Sequence, residues 1–296
     1  MAKENLITTA GIDVAAREID FVTRFESNWK FLMDILGIMR PIKKQPGTIL
    51  KGKRAAVTLQ DGNVAEGAEI PYSKVDYEEV PYEEMTVEKY SKAVSIEAIK
   101  DHGYDVAVNM SDEAFKNKLQ RKVTDKFYKF LATGTLKSSH DSFQMALAMA
   151  KGSVEEKFMN MDLNYTGVVG FANILDVYEY IGAANITIQN QFGLQYIKDY
   201  MGYNTIFLLS TKELARGTVI ATVVENINLY YVDPADSDFA RAGLQYTTSV
   251  GETNLIGFHT QGNYNTAVSE AFAIMGMTLF AEYLDAIAVM TFGAAG

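Results

Sequence analysis

Along residues 12–36 apolar side chains recur at helical spacing. Ile12, Ala15, Ile19 and Val22 share one face, and Phe25, Trp29, Leu32 and Leu36 continue it after one irregular step at Ser27-Asn28. Gly37 and Pro41 end the pattern, which predicts a helix over 12–36. The period then changes. Four of the five prolines, Pro41, Pro46, Pro71 and Pro81, fall between 41 and 81, a density that forbids a helix and disfavours a central strand. Ala55-Val57-Leu59 alternates, and so does Val75-Tyr77. The stretch 48–90 therefore predicts a long twisted β-hairpin or extended loop, turning near Asp61-Gly62-Asn63. It holds few large apolar residues, and a two-stranded ribbon is marginal alone. It has to lie on its own body or on a neighbouring chain.

A short strand around Ala93-Val94-Ser95-Ile96 comes next, followed by the strongest helical signal of the chain. Phe115, Leu119, Val123, Phe127 and Leu131 recur at every fourth position, with Phe130 beside them. Ser111 is the predicted N-cap, Asp112 and Glu113 sit in the first turn, and Thr133-Gly134 offers the closing glycine. Residues 141–160 are helical through Phe143, Leu147 and Ala150. A strand at 168–171 runs into a helix through Leu175, Tyr178 and Ile181, and strands follow at 204–210, 218–224 and 227–233. That order predicts an α/β layer of its own. The end, 254–292, is β-rich, so the whole chain reads as α+β.

Composition narrows the function. The 296 residues are 48% hydrophobic and include no cysteine, which gives a full core and excludes disulfides, thiolate metal sites and Cys nucleophiles. His102, His140 and His259 are the only histidines and lie far apart. The N-terminus lacks the apolar region of a signal peptide, and no apolar run is long enough for a membrane span, so a soluble cytosolic chain is expected.

The charge is unevenly placed. Residues 1–152 carry 22 basic and 22 acidic side chains; residues 153–296 carry 5 and 15, so the whole net charge of −10 lies in the second half. A half of that sign does not clamp nucleic acid through phosphates. Within the first half, Arg40, Lys43, Lys44, Lys51, Lys53 and Arg54 form a stretch without an acid. Asp61, Glu66, Glu69, Asp76, Glu78, Glu79, Glu83 and Glu84 follow, opposed only by Lys74. Two readings stand: a solvated face, or complementary docking surfaces between subunits. The expected inter-subunit residues are Lys51, Lys53, Arg54, Glu66, Glu69, Glu78, Glu79, Glu83 and Glu84.

Motifs for chemistry fail one by one. Gly47-Thr48-Ile49-Leu50-Lys51-Gly52-Lys53 follows a phosphate-binding loop for seven positions, but Arg54 stands where a Ser or Thr should hold Mg²⁺, and no helix follows. Glu78-Glu79 and Glu83-Glu84 invite a glycosidase reading, yet adjacent residues of an extended segment point to opposite faces. Asp233, Asp236 and Asp238 lack the glycine and distal Glu of a calcium loop, so a turn is expected there. No nucleophile elbow, zinc-binding His-Glu-x-x-His or dinucleotide fingerprint is present. No catalytic, cofactor or metal residue is assigned, and a carboxylate-dependent hydrolase is the remaining enzymatic alternative.

The run Val64-Ala65-Glu66-Gly67-Ala68-Glu69-Ile70-Pro71-Tyr72-Ser73-Lys74 resembles the extended loop of tailed-bacteriophage major capsid proteins of the Hong Kong 97-like fold. Ala93-Val94-Ser95-Ile96-Glu97-Ala98-Ile99 is similar to that family's strand before the spine helix, and 111–132 to the spine itself. Leu279-Phe280-Ala281-Glu282-Tyr283-Leu284-Asp285-Ala286-Ile287 is similar to its closing strand pair, with Ala286 where glycine is common. The resemblance implies an N-terminal arm (1–45), an extended loop (46–90), a peripheral domain (91–140 and 252–296) and an axial domain (141–251). It implies hexamers and pentamers closing an icosahedral shell around double-stranded DNA that is enclosed without sequence-specific binding. It also implies scaffolding, portal and decoration proteins as partners, and a virion assembled in the bacterial cytoplasm. The short stretch before the arm implies a scaffold supplied separately or a chain already matured. An encapsulin-like compartment of the same fold is the alternative, since a helical 12–36 suits it.

Overall fold

The computed structural model describes residues 9–38, 41–64, 69–181, 188–191, 194–248 and 254–293. Helix α1 (Thr9–Leu36) buries Phe21, Val22, Phe25, Trp29, Leu32 and Leu36 in the main core, while Ile19, on the same face by spacing, stays exposed. Gly37 ends it with a φ of +72°, and Ile38 N–H bonds back to Met33 O at 2.8 Å. A Cβ at Gly37 would also come within 2.4 Å of Val224 Cγ1, so glycine is required on two counts. The N-terminal helix is thus packed on its own body.

Strands β1 (Ile42–Lys43), β2 (Ile49–Thr58), β3 (Lys74–Glu84) and β4 (Glu88–Ser95) precede helix α2 (Ile96–His102). One π-helical turn (Asp105–Asn109) leads into α3 (Met110–Leu131), the strongest predicted helix. Two details there differ from expectation. Ser111 is no N-cap, because the chain is already helical when it arrives; its hydroxyl donates to Val108 O and accepts from Lys92 Nζ instead. Gly134 does not close α3 in a left-handed turn. A Cβ there would lie 2.7 Å from Ile287 Cγ2, so close approach of the two segments is its reason.

The rest is β5 (Leu136–His140), α4 (Phe143–Asn160), β6 (Val168–Asn173), α5 (Ile174–Ile181), β7 (Gln189–Gln191), β8 (Leu194–Tyr200), β9 (Tyr203–Leu209), β10 (Thr218–Val223), β11 (Ile227–Val232), α6 (Ser237–Arg241), β12 (Ile256–Asn263), β13 (Val268–Ala281) and β14 (Ala288–Phe292), of which β5, β7, β8 and α6 were not expected from the sequence. Asp236 caps α6, and Asp233 closes a turn on Ala235 N–H, so the aspartate cluster is a turn as expected.

Three sheets result. The long β13 is the axis of the first: its residues 268–275 pair with β12 on one side and β4 on the other, and its end pairs with β11, whose far edge takes β1. The second runs β5-β14-β10-β6-β9-β8-β7. Strands β5 and β14, from the stretches expected in a peripheral domain, lie in this sheet, and β11 pairs into the first. The third is the ribbon β2-β3 alone.

Alternation explains the cores. In the seven-stranded sheet, Val169, Phe171, Phe207 and Ile220 face α1, α3 and the first sheet, while Val168, Ala172, Ile206 and Val219 face α4 and α5. A sheet covered on both faces needs the continuous apolar runs seen in β6 and β10.

Candidate assembly surface

The ribbon is rooted and then left uncovered. Leu50 and Met85 form a small buried cluster with Val232 and Phe280. Gly47 N–H donates to Met85 O and Met85 N–H to Thr48 O, each at 2.8 Å. Beyond this root β2 and β3 pair from Ile49↔Glu84 to Thr58↔Lys74, with a register shift between Leu50 and Lys51. Asp61 accepts from Asn63 N–H at 2.9 Å, but Gln60 N–H still reaches Ser73 Oγ at 3.2 Å, so the chain reverses somewhere within 61–72, and the expected turn near Asp61-Gly62-Asn63 is only the start of that connection. Past the root the large apolar side chains that are described face water: Leu59 is 79% exposed, Tyr72 93% and Tyr77 80%, and Val57, Ile70 and Val75 are exposed too, as is Ile49 beside the root.

The charges predicted to dock subunits meet first within the ribbon. Lys51 Nζ holds Glu79 Oε2 at 2.9 Å, Lys53 stands opposite Glu79, and Arg54 opposite Glu78. Glu84 pairs in register with Ile49 and is exposed, as is Glu69. Glu66 lies outside the described residues, as do the side chains of Lys53, Arg54, Glu78 and Glu83. Both partners of the Lys51–Glu79 bridge are nearly half exposed, so the pair contributes at most about 1 kcal/mol to the fold.

Sequence reasoning missed a second charged cluster. Glu88 accepts from Lys126 at 2.5 Å and from Lys122 at 3.1 Å, and Tyr90 also donates to it. Burial pushes its carboxyl up, but these hydrogen bonds outweigh that and hold it at about 2. The cluster joins β4 to α3. Helix α1 is fastened likewise: Arg17 grips Asp112 at 2.5 and 3.0 Å, Lys92 meets Asp112 at 2.6 Å, and buried Glu18 accepts from Thr260 and Thr247. Only the spacing of Lys122 and Lys126 on one helix face hinted at any of this. Among the described residues no group of His, Asp or Glu could hold a metal, and no helix is long and apolar enough to cross a membrane.

No family model and no curated protein matches the sequence. Solved structures do match. The capsid of cyanophage A-1(L) superposes with a TM-score of 0.52 at 10% identity, over 88% of this chain and 91% of that one. The capsid of an empty GTA particle superposes at 0.52 with 8% identity, over 99% and 95%. The chain has the Hong Kong 97-like capsid fold. The holo-SrpI encapsulin of Synechococcus elongatus matches at 0.41 with 10% identity, over 88% of this chain and 90% of that one. Among the described residues, the rooted ribbon is one part of this fold whose large apolar side chains lie uncovered, beside others such as Met110 and Tyr264.

Proposed function

We propose that this protein is a major capsid protein whose copies form hexamers and pentamers and close an icosahedral shell around double-stranded DNA. The carrying observation is the ribbon: some ten residues per strand project from a buried root, with Leu59, Tyr72 and Tyr77 bare. Solvent-exposed apolar clusters of this kind mark contact surfaces. A neighbouring copy is the partner that explains them. In this reading α3 is the spine of a peripheral unit with β4, β12 and β13, the seven-stranded sheet with α4 and α5 is the axial unit, and the strands β5 and β14 join the two. The proposed contacts are Lys51, Lys53, Arg54, Glu66, Glu69, Glu78, Glu79, Glu83 and Glu84, and the exposure of Leu59, Ile70 and Tyr72 supports including them too. The acidic second half would line the shell without adhering to DNA. Scaffolding, portal and decoration proteins, and assembly in a bacterial cytoplasm, belong to the same proposal. A role as an enzyme has no support from any site described above.

The packing of α1 on its own body is the one observation that suits an enzyme-loaded compartment; the long ribbon suits a virion. Electron microscopy of the purified chain, alone and with its candidate scaffold, tests the shared claim: closed shells are expected, and a uniform population of lone subunits contradicts it. Packaged nucleic acid against packaged protein separates the two kinds of shell.

A further inference from the structure

Helix α4 is apolar on two faces. Phe143, Leu147, Val154 and Phe158 are buried against the seven-stranded sheet. The opposite face repeats the helical spacing through Met145, Ala148, Met149, Gly152 and Met159, all of them exposed. The stretch 143–150 has no charged side chain, whereas the outer face of a solvated helix is polar. Gln144 Nε2 donates to Tyr180 O at 3.1 Å, which sets α5 alongside, and Leu175 and Tyr178 of α5 are exposed as well. Glycine in a helix interior is destabilising relative to alanine. Yet a Cβ at Gly152 would meet nothing within 4 Å, so no described neighbour within the chain requires glycine there. What a glycine on an outer face does permit is the close approach of a second helix.

The charges around this face select the partner. Lys151 is held by Glu155 and Lys157 by Asp285, each at 2.9 Å. Asp141, Glu156 and Asp162 are exposed and meet no cation among the described residues. Residues 141–251 carry twelve acidic side chains against six basic ones. We propose that the outer face of α4 is a docking surface for an amphipathic helix of another protein, with an apolar seam bounded by Lys or Arg. The seam packs among Met145, Met149 and Met159, whose flexible side chains mould to it. Its backbone comes close at Ala148 and Gly152, and its cations reach Asp141, Glu156 and Asp162. A second copy of this chain is the poorer fit. Two α4 faces crossing at Gly152 would bring their unpaired carboxylates together. Helices α1 and α3 bury their apolar faces in their own core, and the ribbon stretch 59–73 carries Asp61, Glu66 and Glu69 and no basic residue. The face is separate from the ribbon, so the proposal stands whether or not the chain builds shells.

The full chain is titrated with a fluorescein-labelled helical peptide that has leucine and alanine along one face and lysine along both flanks. Saturable binding by fluorescence anisotropy is expected, and the same peptide with glutamate in place of lysine should bind more weakly on the order of tenfold. Gly152→Leu separates docking from a solvated face. It enters open space at an exposed helix position, so circular dichroism should not change, yet binding should weaken on the order of tenfold through the lost close approach. Should Gly152→Leu fail to fold, Met145→Ser with Met149→Ser decides, and the same weakening is expected. No saturable binding, equal binding of the two peptides, or undiminished binding by either folded variant overturns the proposal. So does a changed oligomeric state of Gly152→Leu without peptide, which would place a second copy on this face.

Discussion

Asp112 and Glu88 show how single carboxylates tie this fold together. Asp112 sits between Arg17 and Lys92 with all three side chains largely buried. Asp112→Ala leaves two cations facing each other in a poorly solvated place, and should cost about 3–5 kcal/mol in urea unfolding. Glu88 acts through pH. Its carboxyl is held at about 2 against an ordinary 4.5, so it stabilises the fold fully above pH 4.5 and loses that contribution as pH falls toward 2. The stability gap between the wild type and Glu88→Gln should therefore be constant near neutrality and shrink through that window. A gap that does not change with pH would show that the Lys122–Glu88–Lys126 contacts do not persist in solution. Neither residue was legible beforehand, because each cluster gathers side chains from elements far apart in sequence.

At the scale of elements, legibility followed the strength of the local period. Helix α3 was readable from its unbroken i+4 apolar repeat, and β6, β9 and β10 from short apolar runs. The α2 turn and the π-helical lead into α3 were not. Ser111 carries every local mark of a cap, and only the helical path of 105–109 before it removes that role. The ribbon was readable because proline density and poverty of apolar residues both report a segment without its own core. The register was not readable, and it changes the meaning of the charges: Lys51 is engaged by Glu79 of the same ribbon. Two outcomes follow. Replacing Leu59, Ile70 and Tyr72 with Ser should alter subunit stability by no more than about 0.5 kcal/mol each, since all three are exposed, yet abolish shells in electron micrographs. The swap Lys51→Glu with Glu79→Lys keeps the internal pair but changes what a neighbour meets, so assembly should remain impaired; normal shells from it would confine Lys51 to the ribbon's own pairing.

For the whole molecule, the seven-stranded sheet, the β13-centred sheet and α1 share one core, α4 and α5 close a second on the other face of that sheet, and the ribbon beyond its root adds no buried large apolar side chain to either among the described residues. In the proposed assembly a subunit would fold first and join its neighbours afterwards, with modest contacts multiplied by closed symmetry. In the proposed shell, the −10 charge of the second half would keep the wall from holding DNA. The most direct measurement is sedimentation velocity on the full chain beside a variant whose residues 51–80 are replaced by a tight turn. The full chain should sediment as large closed particles and the shortened chain as a folded single subunit. Particles of equal size from both, or lone subunits from both, would contradict the claim that the ribbon joins one copy to the next.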